Sequence, residues 1–410
     1  MEIVIRDWYS PSVTAEPKNA YEEAKQDYLE WAQETYNFTI KAMAIGDWGS
    51  VPQDFVDYVT TGGDDNNYIF TLRNDPAVTA AVSVGLMYDL STLDCLDFTE
   101  NKFQVNKLHQ QYSKDGKISA MKAGYAVPKC GMYFNKKVLE DAGINPESIY
   151  DMQANGTWTW EAWTDMMEKV QRDIDGDGVI DVYGFDANYG IPVEQAVYSN
   201  NSEFVGMDAN GDYIYKFEDL STVEALEWFS DVIDDYAMVR PEGSNWDYYK
   251  TAFINGEVAF CPDEAYMAQK YMPFADIENE IGFVQFPKGP QASNYTNCWL
   301  DNAYVIPACY DAEKAWKIAF AWDVYTAEIP GYENYVDMSD YEGYNADTRA
   351  INETIPTMMN NGMITYHTMI SGLDYNVEFL YKFTPAGMTV SEILDGIRED
   401  FKEAIEAANN

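Results

Sequence analysis

The sequence predicts an α/β protein that is divided into two lobes. A chain of 410 residues is long enough for two large lobes, and its 47% hydrophobic and 15% aromatic residues indicate a globular protein. Residues 1–90 alternate strand-like and helix-like patterns, as expected for a mainly parallel sheet. The alternation breaks at residues 124–136, "GYAVPKCGMYFNK", where Pro and Gly interrupt an apolar extended run. We expect the second lobe to begin there.

The first lobe is predicted to open with a βαβαβ unit. Strands are expected over residues 2–8, 38–45 and 67–72, with helices over residues 21–36 and directly after Ser50. In parallel sheets, ligands bind beyond the carboxyl ends of the strands, so the loops that follow these strands predict one rim of a ligand cleft. The candidates on this rim are Trp8, Tyr9, Asp47, Trp48 and Asp75.

Amphipathic helices are expected in the rest of the chain. A helix from Thr159 is predicted to bury Trp160 and Trp163 on one side. Capping boxes, in which Ser or Thr is followed three residues later by Glu, predict helix starts at Ser221 and Thr389. Tryptophans at helical spacing are expected in the core, namely Trp31, Trp160, Trp163, Trp228, Trp316 and Trp322.

An aspartate-rich loop, "DIDGDGVIDVYGF", covers residues 173–185. Its spacing matches the first half of a calcium-binding EF-hand loop, but Gly184 stands where such a loop needs a bidentate Glu, so a sensor-type EF-hand is not expected. Carboxylates at alternate positions repel one another unless a cation lies between them. We therefore consider a partial structural calcium site, with a polar turn as the alternative. The ligand candidates are Asp173, Asp175, Asp177, Val179 and Asp181.

The chain is strongly acidic. Its 69 acidic and 26 basic residues give a formal net charge of −43, which repels nucleic acid and anionic membrane surfaces. Only six arginines are present and they are scattered along the chain, so the bidentate groups that best receive phosphate or carboxylate are scarce. We therefore expect a neutral or cationic ligand and no nucleic-acid partner.

The cysteines and the apolar segments limit the cellular setting. The five cysteines form no C-x-x-C pair, so buried thiols are expected rather than a disulfide framework or a zinc knuckle. No apolar run is long enough to predict a membrane-spanning helix, and no charged and apolar leader precedes the first strand. The chain is expected to be soluble, either as a cytosolic protein or as a mature protein whose export signal has been removed. No organic cofactor is expected.

Six stretches, in order over nearly the whole chain, indicate one family. They are "YAVPKCGMYFNKKVLEDAGI", "TWTWEAWTDMMEKV" followed by the aspartate-rich loop, "AFINGEVAF", "IGFVQFPKGP", "AYVIPACYDAEKAWKIAFAW" and "MTVSEILDGIREDFKEAI". In order and spacing they resemble the extracellular solute-binding proteins of carbohydrate ABC importers, the group related to maltose-binding protein. Residues 328–385 are the least typical part.

The resemblance implies a type II periplasmic-binding-protein-like fold, in which two lobes, each a mainly parallel sheet flanked by helices, are joined by a hinge and close on a ligand. The N-terminal lobe is expected to comprise residues 1–126 and 287–327, and the C-terminal lobe residues 127–286 and 328–410. The resemblance also implies an oligosaccharide ligand, the membrane permease of an ABC importer as partner, a monomer, and an extracellular location with a lipid anchor on the precursor.

Family position adds further cleft candidates. Residues after the "AFINGEVAF" strand and before the "AYVIPA" strand are expected to face the cleft, although the family often has glycines at the second place. Aromatic faces beside amides and carboxylates suit a sugar, whose C–H faces stack while its hydroxyls form directed hydrogen bonds. A packed core position is the alternative for each aromatic residue. The added candidates are Tyr189, Trp246, Glu264, Tyr266, Trp299, Asp301 and Asn302.

Two other classes of function compete with solute binding for transport. A glycoside-acting enzyme needs two carboxylates at a set distance, and 69 acidic residues allow such a pair. However, His109 and His367 are the only histidines, and no nucleophile, phosphate-binding or zinc-protease motif is found. A ligand sensor that presents its closed form to a receptor would use the same fold and ligand. We therefore expect a binding protein rather than an enzyme.

Overall fold

The computed structural model has two lobes, each organised around a four-stranded sheet. It describes residues 1–10, 16–278, 280–298, 302–333, 335–336, 338, 341, 343–373 and 378–410. The strands are β1 (Glu2–Asp7), β2 (Thr39–Ala44), β3 (Tyr68–Leu72), β4 (Ser113–Lys114), β5 (Lys117–Ile118), β6 (Cys130–Asn135), β7 (Tyr183–Phe185), β8 (Val205–Met207), β9 (Tyr213–Tyr215), β10 (Val258–Glu264), β11 (Ile281–Gln285), β12 (Asn297–Cys298), β13 (Ala303–Val305) and β14 (Gly362–Met363). The helices are α1 (Ala20–Tyr36), α2 (Val51–Thr60), α3 (Pro76–Ser83), α4 (Asn101–Gln104), α5 (Leu108–Gln111), α6 (Lys136–Asp141), α7 (Glu147–Asn155), α8 (Trp160–Val170), α9 (Gly190–Ser199), α10 (Leu220–Tyr236), α11 (Tyr248–Asn255), α12 (Ala312–Tyr325), α13 (Ile355–Asn360) and α14 (Val390–Asn409).

The first sheet has the strand order β13-β3-β1-β2 and confirms the predicted βαβαβ unit. β1 runs parallel to both β2 and β3, whereas β13 comes late in the chain and pairs antiparallel with β3. Ile3 and Ile5 alternate with more exposed residues of β1 and pack in one hydrophobic cluster with Trp322 of α12. Because β1, β2 and β3 are parallel, the loops that follow them lie at the same edge of the sheet.

The second sheet corrects the prediction that each lobe has a mainly parallel sheet. Its order is β11-β6-β10-β7, and β6 is antiparallel to both β10 and β11, while only β7 and β10 are parallel. The reason lies in the path of the chain. β6 enters the sheet directly after the crossing from the first lobe, and β10 ends where β6 begins, with Glu264 opposite Cys130.

Helix ends depend on contacts that the local pattern does not contain. The capping box at Thr389 is present and confirms the predicted start of α14. The box predicted at Ser221 is wrong, because α10 begins at Leu220 with Asp219 in the capping position. The Ser221 hydroxyl instead donates to Ser202 at 3.0 Å, and the carboxylate that the box would have used accepts from the Asn200 side chain.

The helical tryptophans divide between the core and the surface. Trp160 and Trp163 of α8 are buried as predicted, and Trp322 is also buried. Trp31 and Trp316, which were predicted for the core, are 53% and 38% exposed. They belong to the outer aromatic faces of α1 and α12, where Trp31 contacts Tyr36 and Trp316 stacks on Phe320. Helical spacing therefore identified residues that share one face of a helix, but it did not show whether that face is buried or exposed.

One segment after residue 287 contacts the second lobe. The backbone N–H of Lys288 donates to the Trp158 carbonyl at 3.2 Å, and that of Gly289 donates to Ser199 at 2.8 Å. β12 then pairs with β14, before the chain returns to the first sheet through β13. Lys288 and Gly289 belong to the stretch 287–327, which the sequence analysis places in the N-terminal lobe. The exact lobe boundaries stay a prediction.

A second segment touches both lobes within two residues. His367 lies against Glu194 of α9 in the second lobe. Thr368 accepts hydrogen bonds in the first lobe, at its carbonyl from the Thr79 hydroxyl at 3.0 Å and at its hydroxyl from the Gln111 side chain at 2.8 Å. This segment ties the lobes together beside the cleft.

Two expectations about the chain as a whole can be compared with the structure. Cys130, Cys261 and Cys298 are buried free thiols as expected, whereas Cys95 and Cys309 are only half-buried. Within the described part of the chain, no helix has both the length and the apolar character that a bilayer crossing requires.

Candidate functional site

A cavity of about 240 Å³ is lined by residues of both lobes. Trp48 reaches it from the loop between β2 and α2, and Trp246 from the segment before α11. The two tryptophans are 52% and 69% exposed, which leaves much of each indole open to a ligand. The larger depressions, of about 690, 600 and 560 Å³, do not combine described residues near the first sheet with described residues near the second. The shared cavity is therefore the candidate site, because a two-lobed fold closes on what lies between its lobes.

The antiparallel pairing of β6 with β10 brings charged groups to this cavity. Glu264 ends β10 opposite the first residue of β6, so Lys129, the residue before β6, lies near it, and both line the cavity. Lys129 Nζ is 2.5 Å from the Oε2 atom of Glu194, which belongs to α9. Their side chains are 20% and 5% exposed, so this ion pair is largely withdrawn from water.

Glu194 connects the ion pair to a buried histidine. His367 Nε2 is 3.4 Å from Glu194 Oε1, and the Tyr198 hydroxyl is 3.3 Å from the same carboxylate oxygen. Burial opposes the charged forms of Lys129 and Glu194, but their mutual attraction outweighs it, so the pKa of Lys129 is raised and that of Glu194 is lowered. Burial lowers the pKa of His367 to about 4. At neutral pH the network therefore holds a cation, an anion and a neutral imidazole.

Two adjacent acids end β10, but they do not carry two full charges. Burial raises the pKa of Glu264, whose carboxylate accepts a short hydrogen bond from the Tyr266 hydroxyl. Asp263 is 1% exposed, and burial together with the charge of Glu264 raises its pKa to about 7. This wall of the cavity is therefore less negative than its composition indicates, and it offers a polyhydroxylated ligand both hydrogen-bond donors and acceptors.

Two predicted ligand residues of the first rim have structural contacts. The Oδ1 atom of Asp47 accepts from the backbone N–H groups of Gly49 and Ser50, both at 2.9 Å. Asp75 caps α3, where its Oδ1 atom accepts from the backbone N–H of Ala77 at 2.9 Å. Both carboxylates thus hold loops at the edge of the first sheet from which Trp48 projects.

The structure brings four of the predicted ligand residues to the cavity. Trp48, Trp246, Glu264 and Tyr266 line it, although they come from three separate parts of the sequence. Two of them are open aromatic side chains and two form a hydrogen-bonded carboxylate–phenol pair. The cavity thus combines stacking surfaces with polar groups.

The other predicted residues that the structure describes are not among those that line the cavity. Trp8 packs against the first-lobe core and contacts Tyr9 edge to face at 5.3 Å. Tyr189 precedes the cavity residue Gly190, but its hydroxyl donates to Asp186 at 3.0 Å. Asn302 is half-buried just before β13. Trp299 and Asp301 lie outside the described residues.

Sequence reasoning missed several polar residues of the cavity. Lys129 is the one charge inside the apolar stretch "YAVPKCGMYF", and Glu194 is the one acid of α9, a helix that is buried over nearly its whole length. An isolated charge in a buried element is a usable signal, because such a charge needs a partner. Tyr381 lies in the least typical part of the chain and offered no such signal.

The aspartate-rich loop lies outside this cavity and has its own geometry. Asp173, Asp175 and Asp177 each bring a carboxylate oxygen within 4.8 Å of the others. Calcium ligands at about 2.3–2.6 Å from one ion can be up to about 5 Å apart, so these oxygens fit a single cation. The loop is also held by its own amides: Gly178 N–H donates to Asp173 at 2.8 Å and Ile174 N–H donates to Asp181 at 2.7 Å. The backbone N–H of Val179 likewise donates to Asp177 at 2.8 Å. The backbone hydrogen bonds to Asp173 lower the pKa of its carboxyl group.

Comparisons with known proteins agree with the architecture. A family model described as "Bacterial extracellular solute-binding protein" matches residues 100–323, more than half of the chain. A search of curated proteins found no match. Among solved structures, the cyclic alpha-maltosyl-1,6-maltose binding protein from Arthrobacter globiformis shares 15% identity over 99% of each chain with a TM-score of 0.67.

Two further solved structures show the same fold. An ABC substrate-binding protein from Listeria monocytogenes, in complex with cycloalternan, shares 15% identity over 99% of each chain with a TM-score of 0.62. UgpB from Mycobacterium tuberculosis, in complex with glycerophosphocholine, shares 16% identity over 94% of this chain and 95% of that chain, also with a TM-score of 0.62. At these identities the likeness establishes a shared two-lobed fold.

Proposed function

Because this chain belongs to the family of bacterial extracellular solute-binding proteins, we propose that it binds a neutral oligosaccharide between its lobes and delivers it to the permease of an ABC importer by hinge closure. One observation carries the proposal. Trp48 and Trp246, each more than half exposed and from opposite lobes, line one cavity together with hydrogen-bonding groups. Stacking surfaces combined with directed polar groups suit a sugar.

The charges of the cavity favour a neutral ligand. Both lysines among the described lining residues have a carboxylate partner, Lys129 in Glu194 at 2.5 Å and Lys250 in Asp247 at 3.8 Å, so neither is the free cation that a phosphate or carboxylate needs. The net charge of −43 adds a field that opposes the entry of anions. Two of the structural neighbours bind cyclic oligosaccharides, cycloalternan and cyclic alpha-maltosyl-1,6-maltose, which supports an oligosaccharide ligand.

Binding without catalysis is part of the proposal. Among the described residues that line the cavity, the acids are Glu194 and Glu264. Glu194 is engaged by Lys129 and Glu264 by Tyr266, so neither is presented as a free acid or base to a glycosidic bond. We further propose that the protein acts outside the cell as a monomer whose precursor is lipid-anchored. The family description supports the extracellular location.

We also propose that one calcium ion binds the loop of Asp173, Asp175 and Asp177, with the Val179 carbonyl and Asp181 as further ligands. The spacing of the three carboxylate oxygens supports this. The ion would hold together a loop between α8 and β7 and would take no part in ligand binding.

A thermal-shift screen tests the proposed function. The panel contains neutral linear and cyclic oligosaccharides of several linkages, monosaccharides, sugar phosphates, uronic acids and glycerophosphocholine. Neutral oligosaccharides are expected to raise the melting temperature, by mass action on the folded state, and calorimetry then gives their affinities. Stabilisation by the phosphorylated or carboxylated compounds alone would contradict the proposed ligand class.

A further inference from the structure

One arginine holds both the ring and the backbone of the cleft tryptophan Trp48. The Cζ atom of Arg73 is 3.8 Å from the centroid of the Trp48 ring. This is a stacking distance, so the guanidinium lies on the face of the indole rather than at its edge. The Nε atom of Arg73 also donates to the Trp48 carbonyl at 2.9 Å. A single side chain thus restrains the loop and the indole together.

Arg73 is itself held in place. Its Nη2 atom is 2.7 Å from Asp75 Oδ2, and its Nη1 atom donates to the Asn74 carbonyl at 3.0 Å. The side chains of Arg73 and Asp75 are 11% and 19% exposed. Asp75 is in turn fixed at the start of α3, where its other carboxylate oxygen accepts from Ala77. Asp75, Arg73 and Trp48 therefore form a chain of contacts that begins on a helix and ends at the cavity.

The two faces of the indole differ. Trp48 lines the cavity, whereas Arg73 is not among the described residues that line it. Trp48 is nevertheless 52% exposed with one face already covered by the guanidinium, so the open area belongs mainly to the other face. A flat group in the cavity can stack only on that open face.

We propose that Arg73 is a positioning residue, which holds Trp48 as a stacking surface with one available face before the ligand arrives. The inference rests on the proposed function for its ligand, but the state of the indole can be measured without one. Ordering a side chain on binding weakens affinity, and a side chain already held avoids that loss. The planar guanidinium is essential here, because a lysine would keep the charge without the flat stack or the bonds to the Trp48 carbonyl and to Asp75.

The first test needs no sugar. All 11 tryptophans are labelled with 5-fluorotryptophan, and the Trp48 signal is assigned by its loss in Trp48→Phe. In Arg73→Ala and in Arg73→Lys we expect the fluorine resonance of Trp48 to shift and to narrow, while the other ten stay in place. A Trp48 resonance that is unchanged in both variants would overturn the inference.

The second test is a double-mutant cycle, measured by calorimetry with the neutral oligosaccharide that the screen finds tightest. Arg73→Ala is expected to weaken binding roughly three- to tenfold, the effect of ordering one side chain on binding. In the Trp48→Ala background the same change should alter affinity less than twofold, because nothing remains to be positioned. An equal loss in both backgrounds would overturn the inference, since Arg73 would then act independently of Trp48.

A misfolded variant and a failure of the proposed function can both be distinguished from a failure of the inference. If Arg73→Ala does not fold, Asp75→Asn replaces it, because asparagine keeps the oxygen that caps α3 and removes only the charge that holds Arg73. The same shift of the Trp48 resonance is expected there. If no oligosaccharide binds the parent protein, the proposed function fails, and the fluorine spectra still decide whether Arg73 positions the indole.

Discussion

Replacing Lys129 by methionine is expected to place a charge on a buried histidine. Methionine keeps most of the length of lysine but not its charge, so Glu194, which is 5% exposed, loses its cation. An unpaired buried carboxylate is strongly unfavourable. The Nε2 atom of His367 lies 3.4 Å from Glu194 Oε1, and His367 should replace the cation by taking up a proton.

The size of the effect follows from the geometry. Burial and the charge of Lys129 hold down the pKa of His367, while Glu194 raises it, and the result in the parent is about 4. Two unit charges 3.4 Å apart attract by about 5 kcal/mol at an effective dielectric constant of about 20, which corresponds to more than 3 pH units. The charge of Lys129 opposes this attraction in the parent. We therefore expect the pKa of His367 to rise in the variant, by up to roughly two units.

The stability of Lys129→Met should depend less on pH than the stability of the parent. In the parent, the pKa of His367 is lower when folded than when unfolded, so stability is lost as the pH falls from about 6.5 towards 4. Lys129→Met should lack this loss, because its folded protein also binds the proton. The variant is expected to be about 3–5 kcal/mol less stable than the parent at pH 8, and up to about 2 kcal/mol closer to it at pH 5.

Urea unfolding between pH 5 and 8 measures the stability, and proton NMR follows the imidazole directly. Only two histidines occur, so His109→Gln assigns both signals. The control is Lys129→Met combined with Glu194→Gln, in which the histidine should again stay neutral. A variant whose His367 remains neutral at pH 5, with a destabilisation that does not depend on pH, would refute the reasoning.

Three further predictions concern the lobes, the aspartate-rich loop and Asp263. A saturating oligosaccharide should lower the radius of gyration in solution scattering, and an unchanged radius would contradict hinge closure. Calcium at a hundredfold excess over its dissociation constant should stabilise the fold by about 2.7 kcal/mol; equal melting in chelator and in millimolar calcium would favour the polar turn. The pKa of Asp263 is about 7 in the folded protein and 3.8 in the unfolded chain, so the parent loses stability as the pH rises between these values. Asparagine does not titrate. Between pH 5 and 8.5, Asp263→Asn should therefore lose up to about 3 kcal/mol less stability than the parent, as measured by urea unfolding. An equal loss of stability in the parent and in Asp263→Asn would show that Asp263 is not protonated in the folded protein at pH 5.

The first lobe could be predicted from local patterns, whereas the second sheet could not. Alternating burial on β1 and the parallel order of β1, β2 and β3 follow from strand and helix periods that are close in sequence. The direction of β6 depends instead on where the chain crosses from one lobe to the other, and its pairs with β10 and β11 join residues more than a hundred positions apart. No local period encodes such a pairing.

The same distinction applies to the site. Trp48 and Glu264 stand at strand ends or in the loops beyond them, which is where an α/β sheet presents ligand residues, so they could be predicted. The partners of Glu194 could not, because Lys129 is 65 residues away and His367 lies still farther along the chain. Asp47 and Asp75 show the converse, since a carboxylate beyond a strand end can equally hold a loop, as Asp47 does, or cap the next helix, as Asp75 does.

Calorimetry on tryptophan variants tests the central claim, that a neutral oligosaccharide stacks between the lobes, most directly. Trp31→Ala is a matched control, because Trp31 is 53% exposed, as Trp48 is 52% exposed, but lies on the outer face of α1. A tryptophan offers roughly 200 Å², so covering its exposed half at about 25 cal/mol/Å² contributes roughly 2–3 kcal/mol, or about 30- to 150-fold in affinity. Trp48→Ala and Trp246→Ala should each lose about that much for the oligosaccharide found in the screen, whereas Trp31→Ala should bind like the parent. Losses within threefold for both cleft variants, or a loss in Trp31→Ala as large as theirs, would contradict the account.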